Sequence, residues 1–340
     1  MDIKELIIEL CSMAGPSGYE DKVGVRVKEI LSGLTDTVHT DVMGNVLAVK
    51  KCGREGVPKL MLDAHMDEIG FVITGMEGGY LKFDKVGGVD ARMLPACEIE
   101  VLTEPPVRGV VRTMPPHVLT SEDMEKAVKI EDLFIDVGMT QEEAEKRIPI
   151  GTPAVYAETV RPLGKNGLLC GKALDDRACL AAVIKAAELL KDEKLNVDLY
   201  IMASTQEEVG LRGAKVGAFG LFPDYCISVD VCHASTPDCE EYSTHKIGGG
   251  PAVTKGPNMN RAFTEKITDA AEKCGIDYQT DIEPGGSSGT NAAVIQVTRE
   301  GVATALMGIP LKYMHTPVEV ISARDAEKTA ELIAAAVKSM

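Results

Sequence analysis

Histidines and carboxylates recur in this chain where strands should end, the types and places that a metal site requires. The densest case is L-M-L-D-A-H-M-D-E-I-G-F-V-I at residues 60–73. Leu60, Met61 and Leu62 predict a short buried strand, with Asp63, His65, Asp67 and Glu68 where it should stop. Open α/β sheets bind their ligands there, beyond the carboxyl ends of the strands. His65 and Asp67 alternate, so an extended backbone sends both to one side, which suits a histidine ligand oriented by a carboxylate.

Four later sites repeat the pattern. A-L-D-D-R puts Asp175 and Asp176 at the start of a helix, and Glu207-Glu208 follows a strand ending near Ser204. Asp230 closes another strand, and His315, in Y-M-H-T-P, follows one ending near Gly308. Each has a plainer reading alone: helix cap, adjacent acids in an acidic chain, loop histidine. Together they are loop ends that one sheet could gather. Two histidines with three carboxylates are the mixed nitrogen and oxygen donors that suit a pair of zinc, cobalt or manganese ions. No cysteine or histidine cluster has zinc-finger spacing.

The elements that must position these residues read as strands alternating with helices. Helices are expected over 3–14, 20–34, 175–191, 261–274 and 323–339, and buried strands over 45–50, 60–63, 199–204, 225–230 and 304–308. Between about 69 and 163 glycines and prolines punctuate short β-like runs, at 71–74, 80–83, 98–102 and 109–112, with helices expected only over 121–128 and 140–147. The expectation is an α/β fold: a mixed, mostly parallel sheet sandwiched by helices, in a discontinuous catalytic domain of residues 1–68 and 164–340. Residues 69–163 form an inserted β-rich domain.

Composition narrows the partners. With 36 basic and 52 acidic residues the net charge is −16, which argues against nucleic acid and anionic membranes. No run approaches a membrane span, and Asp2, Glu5 and Glu9 interrupt what a signal peptide would keep apolar. Nine cysteines without a C-x-x-C pair fit a reducing, cytoplasmic setting. Gly248-Gly249-Gly250 lacks a phosphate-loop context and reads as flexible.

The strings H-M-D-E-I-G, A-L-D-D-R-A, T-Q-E-E-V-G-L-R-G-A, V-D-V and Y-M-H-T-P-V-E-V, in this order, resemble the tetrahedral (TET) dinuclear-metal aminopeptidases. The likeness extends to A-G-P-S-G-Y-E, P-P-H-V-L, D-L-F-I-D-V-G and S-S-G-T-N-A, essentially the whole chain. The resemblance implies that Asp175 bridges two divalent ions, with His65 and Asp230 completing one site and Glu208 and His315 the other. It implies that Glu207 is the general base and that Asp67 orients His65, and the order of roles within Glu207-Glu208 comes from it alone. It further implies a cis peptide between Asp175 and Asp176, zinc or cobalt as the ions with manganese as a third choice, and short peptides as substrates. Through the insert, it implies dimers that build a hollow dodecamer.

Asn291 departs from the aspartate of many relatives, which puts substrate contacts of its loop in doubt. Ser287, Ser288 and Gly289 read as a turn or as channel lining. His233 is a pocket candidate, His117 an interface or packing residue, and His39 and His245 carry no signal. Rival classes are a carbohydrate hydrolase, since some members of the family carry cellulase labels, and a non-catalytic assembly protein. The first leaves the histidines unexplained, and the second should have lost a ligand.

Overall fold

Period-two alternation sorts the central strands into two faces that meet different helices. In the computed structural model, which describes all residues except 121, 123–126, 238, 240–243, 286 and 287, the strand Lys59–His65 alternates between them. Leu60, Leu62 and Ala64 enter the larger core, built with the helices Ile3–Ser12, Asp21–Ser32, Leu174–Leu190, Arg261–Cys274 and Ala323–Lys338. Met61 faces the other way, into a smaller cluster with Met202, Cys226, Ala214 and Ala218 of the helix Arg212–Leu221, and Ile295 of the helix Ala292–Ile295. Asp63 and His65 share the Met61 face, so the site grows from the side with fewer helices.

The sheet has eight strands, in the order Thr37–Thr40, Val46–Lys50, Asp198–Ser204, Lys59–His65, Tyr225–His233, Ala303–Leu311, Ala252–Lys255, Gln279–Ile282. The four central strands are mutually parallel, and the pairs Thr37–Thr40 with Val46–Lys50, Val46–Lys50 with Asp198–Ser204, and Ala252–Lys255 with Ala303–Leu311 are antiparallel. The expected mixed, mostly parallel sheet between helices is therefore present. Parallel neighbours end at one edge, and that edge receives every candidate ligand carried by the sheet. Leu174–Leu190 is buried nearly all round, so its polar start cannot face water and must be satisfied from within.

The segment after Asp67 leaves the sheet and closes a six-stranded antiparallel barrel, in the order Gly70–Glu77, Tyr80–Val86, Ile135–Asp136, Val107–Val111, Glu98–Val101, Pro153–Tyr156. Its core is its own, with the Phe71 ring edge-on to Phe83 and Tyr156 at 5.5 and 5.2 Å between centroids. The expected helix over 121–128 lies largely outside the described residues; the helix expected over 140–147 is Gln141–Arg147, capped by Thr140 and Glu143 in a reciprocal capping box. A three-stranded sheet, Arg161–Leu163, Leu168–Gly171 and Glu319–Ser322, then leads the chain into Leu174 and pairs Gly171 with Glu319. Among the described residues no helix is long and apolar enough to cross a membrane.

Candidate metal centre and its cavity

Each candidate ligand arrives from a different element. His65 ends its strand, Asp230 lies in Tyr225–His233, and His315 sits four residues past Leu311 with a left-handed φ of 62°. Asp175 occupies the non-helical first turn of Leu174–Leu190, joined to Asp176 by a cis peptide. Two local expectations need correction. The strand expected over 60–63 continues to His65, because Asp63 pairs in register with Met202 and its carboxylate is buried beside Ser228. Asp230, expected to close its strand, sits within it, three residues before the end at His233, whereas Glu207 and Glu208 lie as expected beyond the strand that ends at Ser204, where Gln206 has φ 54°.

The side chains converge on Asp175. Its Oδ1 is 3.3 Å from His65 Nε2, and its Oδ2 is 3.3 Å from His315 Nε2. Glu208 Oε1 lies 3.4 Å from His315 Nε2, and Glu207 Oε2 lies 4.0 Å from His65 Nε2. Three overlapping donor groups, His65-Asp175-Asp230, Asp175-Glu208-His315 and His65-Glu207-Glu208, each keep their donor atoms within 4.8 Å of one another. Donor atoms 3.3 Å apart have the spacing that would suit two ligands of one small divalent ion.

The electrostatics ask for cations. Burial, reinforced by the neighbouring carboxylates, pushes Glu207 up to about 9 and Asp230 up to about 8 despite His65. Burial raises Glu208 as well, against the pull of His315. Burial opposes charge on His315, yet Asp175 and Glu208 push it up to about 11. Burial works against the Asp175 carboxylate too, but His315 and His65 hold it below its ordinary range. Protons and imidazolium rings thus balance a crowd of acids that divalent ions would balance better, so the donor set fits a metal centre.

Buried carboxylates behind the cluster hold its backbone. Asp67 accepts the N–H groups of Glu207 and Glu208 at 3.0 and 3.1 Å and the Ser17 hydroxyl at 2.6 Å. It lies 3.3 Å from His65 Nδ1, whose ring nitrogen is also 3.1 Å from the Asp67 carbonyl. Asp176 Oδ2 takes the His65 N–H at 3.1 Å while its Oδ1 has no partner. Glu319 takes the His315 N–H at 2.9 Å and those of Leu174 and Asp175 at 2.8 and 3.2 Å. Sequence reasoning assigned no role to Glu319, Asp176 or Ser17. The available signals were adjacency to a ligand for Asp176 and membership of Y-M-H-T-P-V-E-V for Glu319.

Beneath these lies an ion network. Lys172 Nζ reaches both oxygens of Glu68, at 2.7 and 2.8 Å, and Arg177 Nη2 is 3.4 Å from Glu68. The Arg177 guanidinium, fully buried, also donates to the carbonyls of Met66, Leu10, Met13 and Gly15. Removing one member would strand a buried charge at a cost of about 3–5 kcal/mol. The network ties the turn after His65 to the helix start that carries Asp175.

A cavity of about 1090 Å³ opens on the cluster, and His233, Ser288 and Gly289 line it as well. Ser287 is outside the described residues. His245, which carried no signal, also lines the cavity, and its Nε2 is 3.0 Å from Asp281 Oδ1. Asn291 is buried behind it and donates to the Ser204 hydroxyl. His39 and His117 are exposed and distant in the fold, on an edge strand and in the barrel domain. The Gly248–Gly250 loop is held rather than loose: Gly248 and Gly250 donate to Asp325 at 2.7 and 2.9 Å.

Residues 44–332 match the family described as M42 glutamyl aminopeptidase. The chain is similar to the lysyl aminopeptidase of Pyrococcus furiosus, 38% identical over 344 residues that take in 99% of this chain and 97% of that one. An aminopeptidase structure from the archaeon Desulfurococcus kamchatkensis superposes with a TM-score of 0.91 at 38% identity, covering 99% of this chain and 95% of that one. The TET1 peptidase of Pyrococcus horikoshii, described as able to assemble into a tetrahedron or a large octahedral shell, gives 0.88 at 31% identity over 99% and 100%.

Proposed function

The chain belongs to the M42 glutamyl aminopeptidase family and is a peptide hydrolase, and from that premise we propose an aminopeptidase that removes N-terminal residues from short peptides at a two-metal centre. The observation that carries the reading is Asp175, whose two oxygens face two histidines, one at a strand end and one in a loop, at 3.3 Å each. A carboxylate so placed can bind two cations at once. In this reading His65 and Asp230 complete one site, Glu208 and His315 the other, with zinc or cobalt as the ions and manganese as an alternative.

Bound divalent ions supply Lewis acidity for the scissile carbonyl and lower the pKa of a water. Glu207, on the cavity wall and outside the two triads that share Asp175, is the base that takes the water's proton and returns it to the leaving amine. Asp67 fixes the His65 ring and, through two backbone N–H groups, the aim of Glu207 and Glu208. Nine unpaired cysteines suit a cytoplasmic setting.

The barrel domain, residues 69–163 with its own core, is proposed as the dimer contact and access wall of a closed dodecamer. Support comes from the assembling TET1 peptidase, of which 100% is covered. The test combines hydrolysis of amino-acid p-nitroanilides, with and without chelator, with light scattering. Activity lost on chelation and restored by zinc or cobalt, in a particle of about twelve subunits, is the expected result. Full activity after exhaustive chelation sinks the metal reading, and an active monomer sinks the assembly.

A further inference from the structure

Behind His65 lies a buried polar cluster that supplies none of the candidate ligands. Asp63, Ser204 and Ser228 lie on adjacent strands, with Ser204 in register with His65 and Ser228 with Asp63, so all three project to the face that carries Met61. Asn291 joins them from the start of the helix Ala292–Ile295, and none of the four is more than 2% exposed. Asn291 stands in the capping position of that helix, yet its side chain caps nothing. It is spent inward instead, donating from Nδ2 to the Ser204 hydroxyl at 2.9 Å.

Ser204 passes this contact on to His65. Its hydroxyl donates to the Ala64 carbonyl at 3.3 Å and its carbonyl accepts the Met66 N–H at 2.8 Å, so it holds the peptide groups on both sides of the histidine. The relay has one direction. Because the amide supplies a hydrogen to Ser204, the hydroxyl hydrogen is free for Ala64, whereas an acceptor at 291 would draw that hydrogen back and release the strand. Asp63 removes any room for such an acceptor. Its carboxyl takes the Ser228 hydroxyl at 3.4 Å, and burial raises it while Ser204 and Asn291 beside it oppose the rise. Asp63 Oδ1 and Asn291 Oδ1 have no partner among the described residues, so the cluster already holds more acceptors than its donors serve.

On its other side Asn291 carries part of the cavity wall. Ser288, Gly289 and Thr290 line the cavity, with the Ser288 and Thr290 hydroxyls 2.9 Å apart, and Asn291 is the next residue of the chain. We propose, resting on the aminopeptidase reading above, that Asn291 is a positioning residue for substrate: through Ser204 it fixes the cavity loop 288–290 relative to His65, and Asp63 is the reason an amide has to stand there. A loop set wrongly weakens the hold on the peptide without removing a base or a ligand, so the loss falls on KM.

The experiment measures kcat and KM in the metal-loaded, assembled protein, on the best-cleaved of a panel of amino-acid p-nitroanilides, with metal content and a melting curve for each variant. Asn291→Asp is expected to raise KM about tenfold, with kcat within about twofold and metal content unchanged. Adding Asp63→Asn, which removes the competing carboxyl, should recover about threefold or more of that loss. Ser204→Ala cuts the relay without adding charge, so it should raise KM in the same way, and it serves as the test if Asn291→Asp does not fold. A wild-type KM in either single variant, or a double variant no better than Asn291→Asp, overturns the proposal and leaves an aminopeptidase in place. A fall in kcat with loss of metal also overturns it, since the cluster would then be holding His65 rather than the loop. Failure of the wild type to cleave any of the panel overturns the aminopeptidase reading and the proposal with it.

Discussion

Glu319 holds His315 by its backbone, accepting its N–H at 2.9 Å, and with its other oxygen it holds the N–H groups of Leu174 and Asp175. One buried carboxylate therefore sets the spacing between a loop ligand and a helix-start ligand that are 140 residues apart in sequence.

Glu319→Gln keeps one acceptor oxygen but turns the other into a donor facing N–H groups. The variant should fold and lose metal affinity by about 10–100-fold, measured by competition with a chromophoric chelator. Glu319→Ala should also lower stability, by about 1–3 kcal/mol per N–H left unpaired. Wild-type affinity in Glu319→Gln would show that the loop and the helix hold their ligands without it.

Glu207→Gln is expected to keep both ions by metal analysis and lose about 10²–10⁴ in kcat with little change in KM, since it removes a base and no ligand. Loss of an ion in this variant would mean the roles of Glu207 and Glu208 are exchanged.

Asp175→Asn should remove both ions together, because each side of the carboxylate faces its own histidine. Metal content per subunit distinguishes this from loss of one ion, the result expected if Asp175 serves a single site.

The metal-free protein should lose stability as pH rises from about 6 to about 9. Burial holds Asp230 and Glu207 protonated up to about 8 and about 9, so the folded chain keeps protons that the unfolded chain has released. That contribution is complete below the ordinary carboxylate range and vanishes as pH passes the folded values. His315, against burial but with Asp175 and Glu208 pushing it up to about 11, acts in the same direction. Zinc displaces these protons, so its addition should raise the melting temperature more at about pH 8.5 than at about pH 6. An equal rise at both would contradict proton release on binding.

Gly88→Ala should impair activity more than folding. A Cβ there would overlap the His315 ring at Nδ1, and the ring can yield only by leaving its position beside Asp175 and Glu208. Circular dichroism close to wild type, with kcat reduced about tenfold or more, is the expected pair of results.

Much of the site was legible because its residues mark the ends of apolar strands. Leu60 to Leu62, Ile227 and Val229 announce buried strands; His65 ends the first, and Asp230 lies three residues before the end of the second. The helix Arg212–Leu221 was not legible: Gly213, Gly217 and Gly220 lower its propensity, and packing on Asn45, Thr205 and Met202 overrides that. The strands Ala252–Lys255 and Gln279–Ile282 are short and lie at the sheet edge, where the neighbouring strand rather than local pattern decides. Glu319 escaped because its partners are backbone N–H groups, which leave no trace in residue types.

His315 Nδ1 lies 3.1 Å from the Gly88 carbonyl, and Gly88 follows the barrel strand Tyr80–Val86. With its Nδ1 proton committed there, the ring would turn the Nε2 lone pair to Asp175's side of the cavity once an ion displaces the Nε2 proton. The barrel thus selects a tautomer in the other domain, and the two are thermodynamically linked. Whatever factor a shift of the barrel imposes on ion affinity, ion binding must impose in return on the placement of the barrel. Ion loading and barrel placement then become one equilibrium read at two places.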